Sequence, residues 1–141
     1  MSKIAVVYWS GTGNTQAMAE AVESGAKEAG AEVSVFSPTE FSKDKLSQFD
    51  GIAFGCPSMG VEVLEETEFE PMFTDIESSL SGKRIALFGS YGWGDGQWMR
   101  DWEERCEDDG ADLITDSVMA NEMPGDNELS ECKNLGALLA S

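Results

Sequence analysis

From Ser10 to Thr15 the chain reads Ser10-Gly11-Thr12-Gly13-Asn14-Thr15, with a hydrogen-bonding side chain at every position that is not glycine. Glycine permits the positive-φ turns that aim successive N–H groups at one point. A helix-forming stretch begins just behind, and its first turn brings further unpaired N–H groups. Such a loop is an anion site, and a phosphate is its natural occupant. No Lys or Arg stands in it, so neutral donors and the helix dipole would do the holding. Other phosphate motifs fit badly. A Walker loop needs Gly-Lys-Ser/Thr. A dinucleotide fingerprint needs a third glycine and an acidic ribose ligand further on. A phosphatase loop needs a nucleophilic Cys and an Arg. A receiver domain would carry acids where Tyr8 and Trp9 stand.

Two more segments have side chains suited to a flat ligand. Pro57-Ser58-Met59-Gly60-Val61-Glu62 offers a polarizable thioether, and Ser90-Tyr91-Gly92-Trp93-Gly94-Asp95-Gly96 offers an indole flanked by glycines. An aromatic so flanked is badly placed to fill a core and well placed to present a face. Trp93 could stack on a planar ring and Met59 could cover the other side. A phosphate cradle, an aromatic slab and a thioether cover together suit a flat heterocycle with a phosphorylated tail.

The elements that would position these loops alternate along the chain. Ile4–Tyr8, Val33–Phe36, Ile52–Cys56, Arg84–Phe88 and Asp112–Val118 read as strands. Asn14–Ala29, a weak stretch at Ser42–Ser47, Pro71–Leu80, Gln97–Asp108 and Glu128–Leu139 read as helices. In the first helix Met18, Val22 and Ala26 share a face, with the small Ala17, Ala21 and Gly25 beside them, spacing that would let the helix sit close to a sheet. Strict alternation predicts one α/β domain over residues 1–141, a doubly wound five-stranded parallel sheet with helices on both faces. Ligands of such sheets bind beyond the carboxyl ends of the strands, where the loops after the first, third and fourth strands emerge. Trp98, Trp102 and Cys106 read as a core stripe, and Cys56 as packing.

Composition narrows the function further. The 141 residues hold 27 acids against 9 bases and no histidine, for a net charge of −18. Nucleic acid and anionic membrane are excluded as partners, since both need clustered Lys and Arg. The commonest general base and metal ligand is missing. Three widely spaced cysteines form neither a disulfide framework nor a metal cluster, which predicts a reducing, cytoplasmic setting. So does the lack of a signal-peptide pattern at Met1-Ser2-Lys3. The acidity serves either solubility alone or attraction to basic partners. The run Glu62, Glu65, Glu66, Glu68 and Glu70 reads equally as a solvated face or as an electrostatic influence on the neighbouring ligand.

Over its whole length the sequence resembles the short-chain bacterial flavodoxins of clostridia and other anaerobes. The resemblance rests on Tyr8-Trp9-Ser10-Gly11-Thr12-Gly13-Asn14-Thr15, on Gly55-Cys56-Pro57 with Met59-Gly60, and on Leu87-Phe88-Gly89-Ser90-Tyr91-Gly92-Trp93-Gly94. It implies strand order 2-1-3-4-5 and one non-covalent FMN, with its phosphate on Ser10 to Thr15. It implies a ring between Met59 and Trp93, contacts from Pro57, Ser58, Val61, Ser90, Tyr91, Gly92 and Gly96, and a Glu62 carboxylate accepting from the ring N3–H. It also implies a Met59–Gly60 peptide whose carbonyl turns toward the protonated ring N5 on reduction. A type II′ turn with Gly60 first and Val61 second would suit that movement.

The implied function is a low-potential, one-electron carrier. It would be a monomer with no catalytic residue and no metal, shuttling between redox enzymes with basic docking surfaces. With no cation near the ring, each acid about 10 Å away opposes added negative charge by roughly 0.4 kcal/mol in water. The alternative is a small FMN-dependent NAD(P)H:quinone-type reductase on the same fold, which would need a second pocket for the nicotinamide.

Overall fold

The computed structural model describes residues 2–60 and 62–141. Strands β1 (Lys3–Tyr8), β2 (Glu32–Phe36), β3 (Gly51–Gly55) and β4 (Arg84–Tyr91) pair in parallel in the order β2-β1-β3-β4. The outer position beside β4 holds two short pieces, β5 (Asp112–Leu113) and β6 (Val118–Asn121), both parallel to it. Helices α1 (Asn14–Glu28), α2 (Lys43–Leu46), α3 (Phe69–Ile76), α4 (Gln97–Asp108) and α5 (Asp126–Ala140) complete the chain. The doubly wound architecture is the expected one.

Helix α3 runs Phe69–Ile76 against the expected Pro71–Leu80, and α5 runs Asp126–Ala140 against the expected Glu128–Leu139. Two further differences, beside the carboxyl edge, share one reason. The expected continuous strand Asp112–Val118 is interrupted. Ile85 faces Leu113 and Phe88 faces Val118, so three steps along β4 oppose five along the outer strand, which leaves two residues extra. Among the intervening residues Asp116 is a poor strand former, and Ser117 Oγ donates to Glu103 Oε2 at 2.6 Å. An even number of extra residues preserves the alternation of faces, so pairing resumes in β6. That renewed pairing carries β4 on to Tyr91 rather than ending it at Phe88. Ser90 and Tyr91 therefore stand on a strand end, not in a loop.

The sheet separates two apolar layers by alternation. Ala5 and Val7 of β1 face Phe54, Phe69, Phe73, Trp98, Trp102 and Cys106 on the α3/α4 side. Ile4 and Val6 face Met18, Val22, Ala26, Cys132, Leu135 and Leu139 on the α1/α5 side. Trp98, Trp102 and Cys106 form the expected core stripe, and Cys56 is fully buried with its thiol pushed far up by desolvation.

Gly25 works differently from the expectation. It lets α1 approach α5 rather than the sheet: a Cβ there would lie 1.9 Å from the Lys133 carbonyl oxygen. Gly136 answers from α5, where a Cβ would lie 2.1 Å from the Val22 carbonyl oxygen. Glycines on both helices allow backbone-to-backbone contact.

On the opposite face, Arg105 of α4 bridges the first turn of α3 and the residue just after it. It donates to Glu70 through both terminal nitrogens at 2.8 and 2.7 Å, and to Glu77 through Nε at 2.8 Å. Asp109 sits one turn on, with Oδ2 buried and without a partner. Desolvation and the neighbouring Glu77 carboxylate push the Asp109 carboxyl up to about 6. A carboxyl raised above its unfolded value makes the folded state hold the extra proton, so this group's contribution to stability falls as pH rises from about 4 to about 6. Asp109→Asn is therefore expected to be more stable than the parent at neutral pH, with the gap closing below about pH 4, as urea midpoints across that range would record. A gap independent of pH would contradict the raised Asp109 carboxyl.

Candidate cofactor-binding site

The expected loops meet at the carboxyl edge of the sheet around a cavity of about 540 Å³. Its lining includes Gly11, Thr12 and Asn14 from the loop after β1, Pro57, Ser58 and Met59 from the loop after β3, and Ser90, Tyr91 and Gly92 at the end of β4. No Lys or Arg lines it among the described residues. The volume lies within the roughly 300–1,000 Å³ usual for cofactor pockets.

The loop after β1 is organised by Ser10. Its Oγ accepts from the Gly13 N–H at 3.1 Å and the Gln16 N–H at 3.2 Å, which fixes the entry into α1. The Asn14 and Thr15 N–H groups belong to the same first turn, where no intrahelical acceptor exists. Gly13, the residue before α1, has φ 95°, a conformation that side chains resist. The loop thus has the backbone geometry that an anion cradle needs, and one of its expected residues stands apart. Thr15 is buried, and its Oγ1 lies 2.8 Å from the buried Ser90 Oγ. That pair ties the loop after β1 to the end of β4, where Ser90 lines the cavity.

The loop after β3 folds back on itself. Met59 and Val63 exchange backbone hydrogen bonds of 2.8 and 2.9 Å, so three residues lie between them rather than the two of a type II′ turn. Gly60 has the expected positive φ, 53°, and Val61 lies outside the described residues. Glu62, also left-handed at φ 56°, is placed away from the cavity lining. Its Oε1 accepts from the Gln97 N–H at 3.0 Å and so caps the start of α4. The carboxylate lies against Gly94, where a Cβ would meet Oε1 at 2.6 Å. Gly96 stands at the N-cap of α4 against Met119, outside the lining.

Trp93 follows Gly92 at the lip and is 62% exposed, while Met59 is 37% exposed. Trp98 has no such freedom: it is buried, and its Nε1 donates to the Cys56 carbonyl at 3.3 Å.

The acid run corrects the sequence reading at Glu65, which is neither a solvated face nor free to face a ligand. Its carboxylate is 4% exposed and accepts from the N–H groups of Thr67, Glu68 and Phe69 at 2.8–2.9 Å and from the Thr67 hydroxyl. Burial opposes its charge, but these donors hold the carboxyl below its usual range. Glu65 thus anchors the start of α3, while Glu66 and Glu68 are exposed. Arg100 is the cation that the sequence reading did not place near the third loop. It is paired with Asp95 at 2.9 Å.

The flavodoxin family model matches residues 6–136. The chain is 49% identical to the flavodoxin of Megasphaera elsdenii over 137 residues, 97% of this chain and 98% of that one. It is 44% identical to the flavodoxin of Clostridium beijerinckii over 136 residues, 96% of this chain and 98% of that one. Its structure superposes on the solution structure of the two-electron reduced Megasphaera elsdenii flavodoxin with a TM-score of 0.89, covering 97% of this chain and 98% of that one.

Proposed function

The chain belongs to the flavodoxin family, an FMN-binding electron carrier and not an enzyme, and we propose that FMN occupies the cavity between the loops after β1, β3 and β4. The observation that carries this placement is the cavity itself. Thr12 and Asn14 line it beside the first turn of α1, and Met59, Tyr91 and Gly92 line it elsewhere, with the exposed Trp93 following Gly92 just outside that lining. That is the arrangement a phosphorylated tail and a flat ring require. When bound, FMN supplies reversible transfer of electrons one at a time.

The residues divide the remaining work. Ser10 holds the cradle in shape while the Asn14 and Thr15 N–H groups and the Thr12 side chain receive the phosphate. Met59 and Trp93 cover the two ring faces and exclude water there. Glu62, which caps α4 from outside the cavity lining, has its second oxygen for the ring N3–H where the ring extends past the cavity. Gly60, already at positive φ, would present its own carbonyl to a proton on N5, since the Met59 carbonyl already accepts from the Val63 N–H. With no cation lining the cavity and a net charge of −18, added negative charge on the ring is opposed, so an electron leaves at low potential. The same charge supports docking to basic surfaces of redox enzymes, at a rate that falls as salt rises. Among the described residues no helix is long and apolar enough to cross a membrane, in keeping with a cytoplasmic carrier.

Trp93 provides the test. An offset-stacked aromatic contact contributes about 0.5–1.5 kcal/mol, so Trp93→Ala is expected to weaken FMN binding about 2- to 10-fold. Because the indole face repels an anionic ring, the potential of the second electron step should rise. Its exposure leaves little packing to lose, so the thermal midpoint of the FMN-free chain should stay put. Trp98→Ala should do the reverse, lowering stability while leaving the potential alone. A stationary potential in Trp93→Ala, read by anaerobic potentiometry, would end the stacking assignment.

A further inference from the structure

A fourth loop reaches the cavity, following β6, and no signal in the sequence marked it. Glu122 and Met123 both line the cavity beside Tyr91 and Gly92. The Glu122 N–H donates to the Tyr91 carbonyl at 2.7 Å, which pins the loop to the end of β4. Glu122 has φ 58°, and among the described residues only Glu62 shares a positive φ without being glycine. Strain of this kind persists where the surroundings impose it, and its position asks for a functional reason. Here it turns the chain just ahead of Met123, whose side chain is 78% exposed. A large apolar side chain held at a cavity mouth by a strained neighbour, with little protein against it, is placed to cover whatever enters.

We propose that Met123 is a flavin-binding residue, the thioether wall of the cavity on the β6 side, held in place by left-handed Glu122. The proposal rests on FMN occupying this cavity. The topology says which part of the ligand it meets. In the order β1-β3-β4-β6, the loop after β6 lies three strand spacings from the loop after β1, about 14 Å, and one from the loop that carries Tyr91 and Gly92. Met123 therefore contacts the flavin beyond its phosphate. Methionine suits the position because its unbranched, polarizable side chain adapts to a ring and makes favourable sulfur–aromatic contacts.

The test titrates the FMN-free full chain, Met123→Ala and Met123→Leu with FMN and, separately, with riboflavin, by flavin fluorescence. Met123→Ala is expected to weaken both ligands by the same factor, about 2- to 10-fold, the size of a thioether–aromatic contact. Met123→Leu, which keeps the apolar cover but not the sulfur, should recover part of the loss, and the melting of the FMN-free protein should not change. Unchanged FMN affinity in Met123→Ala would overturn the proposal. So would a loss confined to FMN, which would put the residue at the phosphate. A parent chain that bound no FMN would overturn the cavity assignment itself, and this proposal with it.

Discussion

Gly136→Ala is expected to destabilise the protein by about 2 kcal/mol or more, although alanine is the better helix former by roughly 1 kcal/mol. The added Cβ would stand 2.1 Å from the Val22 carbonyl oxygen and 2.9 Å from the Ala26 nitrogen. Both are backbone atoms of α1 and cannot rotate aside, so the helices must separate. Separation loosens the layer formed by Met18, Val22, Ala26, Leu135 and Leu139. Overpacking of this kind typically costs about 1–3 kcal/mol, sometimes more, which outweighs the propensity gain. For a domain of this size the thermal midpoint should fall by about 5 °C or more. Gly25→Ala should behave alike, since its Cβ would approach the Lys133 carbonyl to 1.9 Å. Thermal melts of both variants check this, and a raised midpoint would mean that the helices part without loss.

The second large effect belongs to the cradle. Gly13→Val is expected to weaken FMN binding about 5- to 150-fold, the range set by 1–3 kcal/mol of backbone strain. A Cβ at Gly13 would meet nothing within 4 Å, so space is not the obstacle. The obstacle is φ 95°, which a β-branched residue resists. Relaxing that angle would turn the Gly13 N–H away from Ser10 Oγ and re-aim the first turn of α1. Asparagine tolerates left-handed backbone better than other side chains, so Gly13→Asn should lose least. FMN titrations of the two variants read the difference. Equal losses in both would point to crowding by the ligand instead of to backbone conformation.

Much of the fold was legible because its signals are local. The apolar runs of β1 and β3 and the helical pattern of α1 and α4 are short-range facts, and so is the donor-rich loop from Ser10 to Thr15. What the sequence hid depends on partners distant in the chain. β4 continues to Tyr91 only because β6 pairs with it, and the two extra residues of the outer strand appear only in its register. Glu65 looked like one acid in an exposed run. Its burial follows from the fold-back between Met59 and Val63, which brings it onto the first N–H groups of α3. Glu62 likewise reaches α4, 35 residues away. The wall at Glu122 and Met123 carried no composition cue, since its significance lies in a left-handed φ and in the place where β6 ends.

The central claim is that one cavity holds FMN with its phosphate in the Ser10–Thr15 cradle, and comparing FMN with riboflavin on the FMN-free chain tests it most directly. The two ligands share ring and sugar chain and differ only in the phosphate. One FMN per chain is expected, with riboflavin weaker by about 100-fold or more, as charge-assisted hydrogen bonds totalling roughly 3 kcal/mol would give. Riboflavin binding as tightly as FMN would contradict the account, because the loop after β1 would then be holding nothing.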